Sequence, residues 1–194
     1  MRSVFSLSKK IQVVLSSEDF NLKELNKKLG IRSTQKPLEI LCHSIESYMH
    51  LSKFSIRKSP ILVNLLMVNN KHMKAINQSQ RGKSKTTDVL SFPLWDSLRQ
   101  LKKTKEMKEL NEFIKINSQI PIGDIVISLE VLLKQANDFG ITPMEEFYQL
   151  FFHGLLHLLG YDHERSLKEA KLMENEERTL FFMLKKHIKV RAPK

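Results

Sequence analysis

Cysteine is nearly missing from this chain: Cys42 is the only one in 194 residues. One thiol cannot close an internal disulfide or build a Cys-rich zinc knuckle, so a reducing cytoplasm is the expected compartment and Cys42 is expected to be a small buried side chain. Long apolar runs are also missing. Although 41% of the residues are hydrophobic, none of the runs nears the roughly 20 residues a membrane-spanning helix requires, and a soluble protein is expected. Met1 to Ser8 faintly outlines a secretory signal, but Lys9 and Lys10 interrupt it before an apolar core develops, so no targeting segment is read there. There is no internal repeat.

Acid is the next scarcity. The chain has 21 Asp/Glu against 32 Lys/Arg, a net charge of +11. Residues 1–70 carry 11 basic against 5 acidic side chains, and residues 71–115 repeat that balance. Residues 120–182 invert it, with 5 against 11, and residues 183–194 add five basic side chains and no acid. The basic blocks suit a polyanion such as RNA or DNA, because Lys and Arg contacts to phosphates release condensed counterions. Charge alone is equally compatible with solubility or a loose contact with an anionic membrane.

Folding a chain of this length buries roughly two-thirds of its surface, which fits one domain over residues 1–194. Lys10–Ser16 reads as a first strand, Ile61–Val68 as a central one, and Asp88–Pro93 and Gly123–Ser128 as two more. Lys-rich Asn21–Thr34, with Leu22, Leu25 and Leu29 at helical spacing and Gly30 as its stop, reads as a short surface helix. Pro37 opens a helix to about Leu51 with Leu38, Ile40, Leu41, Ile45 and Tyr48 on one face. Asn70–Asn77 and Leu129–Phe139 read as helices. Thr142, Pro143 and Glu145 form an N-terminal signature for a helix reaching about Leu159, and Ser166–Lys189 is a last amphipathic helix. Asp96–Ser118 differs from the rest. It is mostly Lys, Glu, Leu and Asn without Gly or Pro, and reads as a mobile helix or a partly disordered excursion.

The sharpest pattern is His153-Gly154-Leu155-Leu156-His157-Leu158-Leu159-Gly160-Tyr161-Asp162-His163. Four helical residues turn the chain by about 400°, so His153 and His157 project from one face about 40° apart. A left-handed Gly160 would end the helix and fold the chain back, bringing His163 to the same point. Three imidazoles with an open fourth position describe a catalytic zinc site. Any one of these histidines alone would read as decoration on an apolar helix, as His43, His50, His72 and His187 do; the three together do not. The spacing also matches metzincin proteases, H-E-x-x-H-x-x-G-x-x-H, except that Gly154 stands where their general-base glutamate would be. A metzincin-like metalloprotease would need Asp162 or Glu164 to act instead.

These residues, together with Thr87-Asp88-Val89-Leu90-Ser91-Phe92-Pro93 and Gly123-Asp124-Ile125-Val126-Ile127-Ser128, resemble the YbeY family of endoribonucleases that mature ribosomal RNA. The resemblance extends more weakly from about Ile61 to Phe182. It implies an α+β fold, a mixed four-stranded sheet flanked by about five or six helices. It further implies one Zn2+ per chain on His153, His157 and His163, and cleavage of single-stranded RNA in 16S rRNA 3′-end processing, ribosome maturation and quality control. The implied partners are ribosomal RNA, small ribosomal subunit proteins and assembly GTPases.

The family's basic cleft residue maps onto Arg81, whose permanently charged guanidinium can grip two phosphate oxygens and stabilise charge developing on a phosphoryl group. Lys83 and Lys85 then read as phosphate contacts. Asp162 is the first choice for general base, the RNA 2′-hydroxyl the second, and an alternative role for Asp162 is to orient a histidine ring. Asp88 and Asp124 read as braces at strand ends. Gln80 replaces the family's usual aromatic residue and Thr86 its usual proline, which bears on loop shape. Residues 96–118 are longer and more basic than the family's usual connection, and residues 21–34 also look inserted; both read as RNA or ribosome contacts or as tolerated surface insertions. Besides a protease, the remaining alternative is a non-catalytic ribosome assembly factor whose structural zinc is closed by a fourth protein ligand.

Overall fold

The computed structural model describes residues 2–6, 11–51, 60–95, 98, 112 and 119–190. Strand periodicity sets the sheet. In β2 (Ile11–Ser17) the residues Ile11, Val13 and Leu15 turn inward, and in β3 (Ile61–Val68) Ile61, Val63, Leu65 and Met67 do the same. All four expected strands form, and β1 (Arg2–Ser6) adds a fifth along the edge, antiparallel to β2. With β4 (Val89–Pro93) and β5 (Ile120–Ser128), the sheet order is β1-β2-β3-β5-β4. The β2/β3 and β3/β5 pairs are parallel and β4 runs antiparallel to β5, so the sheet is mixed.

Two helices supply most of the opposing apolar surface. From α2 (Gln35–Leu51) come Leu38, Leu41, Ile45 and Tyr48, all at most 2% exposed. Each such large apolar side chain contributes about 1.5–3 kcal/mol on burial. The short α1 (Leu22–Lys28) was expected on the surface, but Leu25 and the capping Leu29 are buried in the main core, so this stretch is anchored rather than merely appended.

α3 (Asn70–Arg81) runs one turn beyond the expected end at Asn77. Asn69 caps its start by accepting from His72 N, and Gly82, at φ 68°, ends it in the left-handed region that glycine adopts without strain. Arg81 therefore sits in the last turn of a helix. The Asn77 side chain donates to the Lys85 carbonyl at 2.8 Å and ties the following loop back.

α4 (Leu129–Phe139) and α5 (Pro143–Leu158) match their expected spans, and the Thr142/Glu145 capping box is formed in both directions. α5 presents Phe147, Phe151, Phe152, Leu155, Leu156 and Leu158 to the core. Its Gly154 lies against the sheet: an added Cβ would come within 3.0 Å of Ile125 Cγ2 and of Ser91 Oγ. That close approach brings the C-terminal half of α5 down onto β4 and β5, with the histidines at its end. α6 (Leu167–Val190) packs on α2 and α5. Apart from Leu98 and Glu112, residues 96–118 lie outside the described residues. Among the described residues, no helix is long and apolar enough to cross a membrane.

Candidate metal centre

His153 and His157 occupy the last two turns of α5, and Gly160, at φ 94°, makes the reversal the spacing required. The three rings converge: centroids are 4.7 Å apart for His153 and His157, 5.2 Å for His153 and His163, and 5.3 Å for His157 and His163. One nitrogen from each lies within 4.8 Å of the other two. Nε2 of His153 and Nε2 of His157 are 3.1 Å apart. Two nitrogens at about 2.0–2.1 Å from a shared tetrahedral ion would be roughly 3.3 Å apart, so the pair is already close to ligand spacing.

The rest of each ring supports that use. His153 donates from Nδ1 to Glu177 Oε1 at 2.8 Å, which leaves Nε2 for a metal. Burial holds His157 down to about 4, reinforced by the imidazoles of His153 and His163 against the opposing pull of Asp162 and the Tyr161 backbone. A neutral imidazole is the form that ligates a metal. The turn is braced from behind, where the buried Tyr48 and Tyr161 hydroxyls lie 3.5 Å apart.

Arg81 joins this site as part of the lining of a cleft of about 360 Å³, whose walls include Thr87, Asp88, Ser91, Asp162 and all three histidines. Its Nη2 reaches the Ser91 carbonyl at 3.4 Å, a long bond that leaves most of the guanidinium uncommitted. Lys83 and Lys85 are exposed on the loop beyond it and do not line the cleft. Asp162 lines it with both oxygens engaged: Oδ1 accepts from Glu164 N at 3.0 Å and Oδ2 from Arg165 Nε at 3.0 Å. The Glu164 amide first, and then Arg165, outweigh partial burial and hold its carboxyl below the usual range.

Asp88 is a brace. Burial alone would raise its carboxyl, but bonds from Gln135 Nε2, Val89 N and the Thr87 hydroxyl outweigh it and lower it. Asp124 accepts from Asn64 Nδ2 at 2.7 Å and links β5 to β3.

A sequence profile described as Endoribonuclease YbeY matches residues 23–185. The chain belongs to the YbeY family. A relative from Leptospira interrogans named Endoribonuclease YbeY is 45% identical over 127 residues, 66% of this chain and 89% of that protein. Another so named, from Persephonella marina, is 36% identical over 158 residues, 81% of this chain and 88% of that protein. The solution structure of TM1509 from Thermotoga maritima superposes with a TM-score of 0.51 at 26% identity, covering 81% of this chain and 87% of that one.

In this YbeY chain the position a metzincin gives to its glutamate is packed against β4 and β5, so no carboxylate there could face the metal. Sequence reasoning did not find Glu177. It lies on α6 among Glu174, Glu176 and other charged residues, and nothing in their spacing marks one of them as the partner of His153.

Proposed function

We propose that this protein is a zinc-dependent endoribonuclease that cuts single-stranded RNA, acting in 16S rRNA 3′-end processing, ribosome maturation and quality control in the cytoplasm. Its partners on this reading are ribosomal RNA, small ribosomal subunit proteins and assembly GTPases. The observation that carries the reading is one cleft lined by both an under-committed arginine and three converging histidines.

The donor set of His153, His157 and His163 suits zinc, which when bound supplies Lewis-acid character and a water of lowered pKa. Arg81 takes two oxygens of a phosphodiester on this reading and balances the charge that develops there, as a guanidinium suits. Asp162, with lowered basicity and both oxygens engaged, favours bracing the ligand turn over acting as general base. The RNA 2′-hydroxyl then remains as a group within the substrate that can share the chemistry. The exposed Lys83 and Lys85 lead the backbone toward Arg81.

The test measures bound metal, then cleavage of single-stranded ribosomal RNA and of a peptide library, for wild type, His157→Ala and Arg81→Glu. One zinc per chain, RNA cleavage by wild type and its loss in both variants are expected. Intact RNA with zinc-loaded wild type, or normal cleavage by Arg81→Glu, overturns the reading.

A further inference from the structure

Beside the metal cleft lies a second pocket of about 300 Å³, at the lower end of the range for small-ligand sites. Asp88, Val89 and His153 form walls of both, so whatever fills one is adjacent to whatever fills the other. Its chemistry is the reverse of the cleft's. Among the described residues no Lys or Arg lines it, and beside His153 and Gln149 its polar wall carries three carboxylates, Glu146, Asp88 and Glu177, and the Gln135 amide.

Two of those acceptors are unfinished. Glu146 is only 3% exposed, yet its Oε2 has no hydrogen-bond partner, and Gln135 Oε1 is likewise buried and unpartnered. The Gln135 amide donates to Asp88 at 3.0 Å, and Glu146 Oε2 receives no hydrogen bond from it. A buried acceptor left without a donor costs about 1–3 kcal/mol, so a pair sharing one pocket calls for a ligand rich in donors. Burial, and then Asp88, hold the Glu146 carboxyl above its ordinary range, as befits an acid lacking a donor. A metal ion is a poor fit. Among the described residues, the histidine triad is the group of three acidic or imidazole donors that comes together within 4.8 Å, and these carboxylates form none. A phosphate is a worse fit, against three acids.

The apolar part of the wall narrows the choice. Phe139 is 66% exposed at the end of α4, Phe181 is partly buried, and both line the pocket. Exposed aromatic rings beside hydrogen-bonding side chains are how proteins hold unstacked bases of single-stranded RNA.

We propose that this pocket takes a nucleobase flanking the scissile phosphate and that Glu146 and Gln135 select guanine there. Guanine offers adjacent N1–H and N2–H donors to a carboxylate, whereas adenine and cytosine set a ring acceptor beside their amino group and uracil has one N–H between two carbonyls. Gln149, also on the wall, has an amide to meet O6. The inference rests on the ribonuclease reading and adds base selection to it: backbone held at Arg81, base turned into the acidic side pocket.

The test uses the metal-loaded protein and short oligouridines carrying a single guanosine, a single inosine, which lacks the N2 amino group, or neither. Affinity is read by fluorescence anisotropy and cleavage in parallel, for wild type, Glu146→Gln and Phe139→Ala. Wild type is expected to bind the guanosine oligomer about tenfold more tightly than the other two and to cut beside that guanosine. Glu146→Gln should erase the preference, bringing the guanosine oligomer level with the inosine oligomer and oligouridine measured on the same variant, and Phe139→Ala should weaken binding of the guanosine oligomer without unfolding the chain. Equal binding of all three oligomers by wild type, or a preference that survives Glu146→Gln, overturns the base pocket and leaves the ribonuclease standing. No binding or cleavage of any oligomer brings down both.

Discussion

Glu177 and His153, 24 positions apart and on different helices, meet in a 2.8 Å hydrogen bond that fixes which imidazole nitrogen faces the metal centre. Partners of this kind typically account for 10–100-fold in metal affinity. Glu177→Gln should therefore weaken zinc binding by about that factor. The replacement amide has the same shape and can still accept from His153 Nδ1, so the melting temperature of the metal-free protein should stay nearly unchanged. Competition against a chromogenic chelator, alongside a thermal melt, separates the two quantities.

Arg81→Ala should leave metal content untouched and lower the single-turnover cleavage rate by roughly a hundredfold, the usual cost of removing one donor aimed at developing charge. Arg81→Lys should recover only part of it, because an ammonium keeps the charge but loses the two-pronged grip. A rate equal to wild type in either variant would remove Arg81 from the chemistry.

Acid should weaken the metal-free protein through His157. Its folded value, about 4, lies below the ordinary 6.5, so between these limits the unfolded chain binds the extra proton. Stability is then complete above pH 6.5 and is lost as pH falls toward 4. The loss is on the order of 2–3 kcal/mol after allowance for partial exposure. Urea unfolding midpoints across that window, compared with His157→Gln, isolate the contribution: the variant should lose most of the slope.

Gly154→Glu should not produce a protease. A Cβ alone already presses on Ile125 and Ser91, and a charged side chain would have to be buried against the sheet, so the substitution should cost several kcal/mol and release the metal together with the fold. Far-UV circular dichroism during heating checks this; a well-folded, zinc-loaded Gly154→Glu variant would contradict the packing described.

The metal triad was legible in the sequence because its geometry is local: helical pitch relates His153 to His157, and one left-handed glycine supplies His163. The helix α5 was legible for a similar reason, since Thr142, Pro143 and Glu145 announce its start. Failures came where distant segments meet. The helical spacing of Leu22, Leu25 and Leu29 marks an apolar stripe but not that Leu25 and Leu29 join the main core, and Arg2–Ser6 lacks a strand pattern until β2 offers it an antiparallel partner. Glu177 and the orphaned pair of Gln135 and Glu146 depend on how α4, α5 and α6 pack, which no periodicity encodes. Residues 96–118 were singled out for composition and lie outside the described residues, apart from Leu98 and Glu112.

The Gly160 reversal also has a bearing on the order in which the protein is assembled. It confines all three ligands to eleven consecutive residues, His153 to His163. Closing so short a loop takes on the order of 10–100 ns, whereas the long-range pairing that brings in Arg81 is slower and entropically costlier. The candidate ligands are thus gathered by local contacts alone, whereas Arg81 reaches the cleft only through the packing of α3 on the sheet.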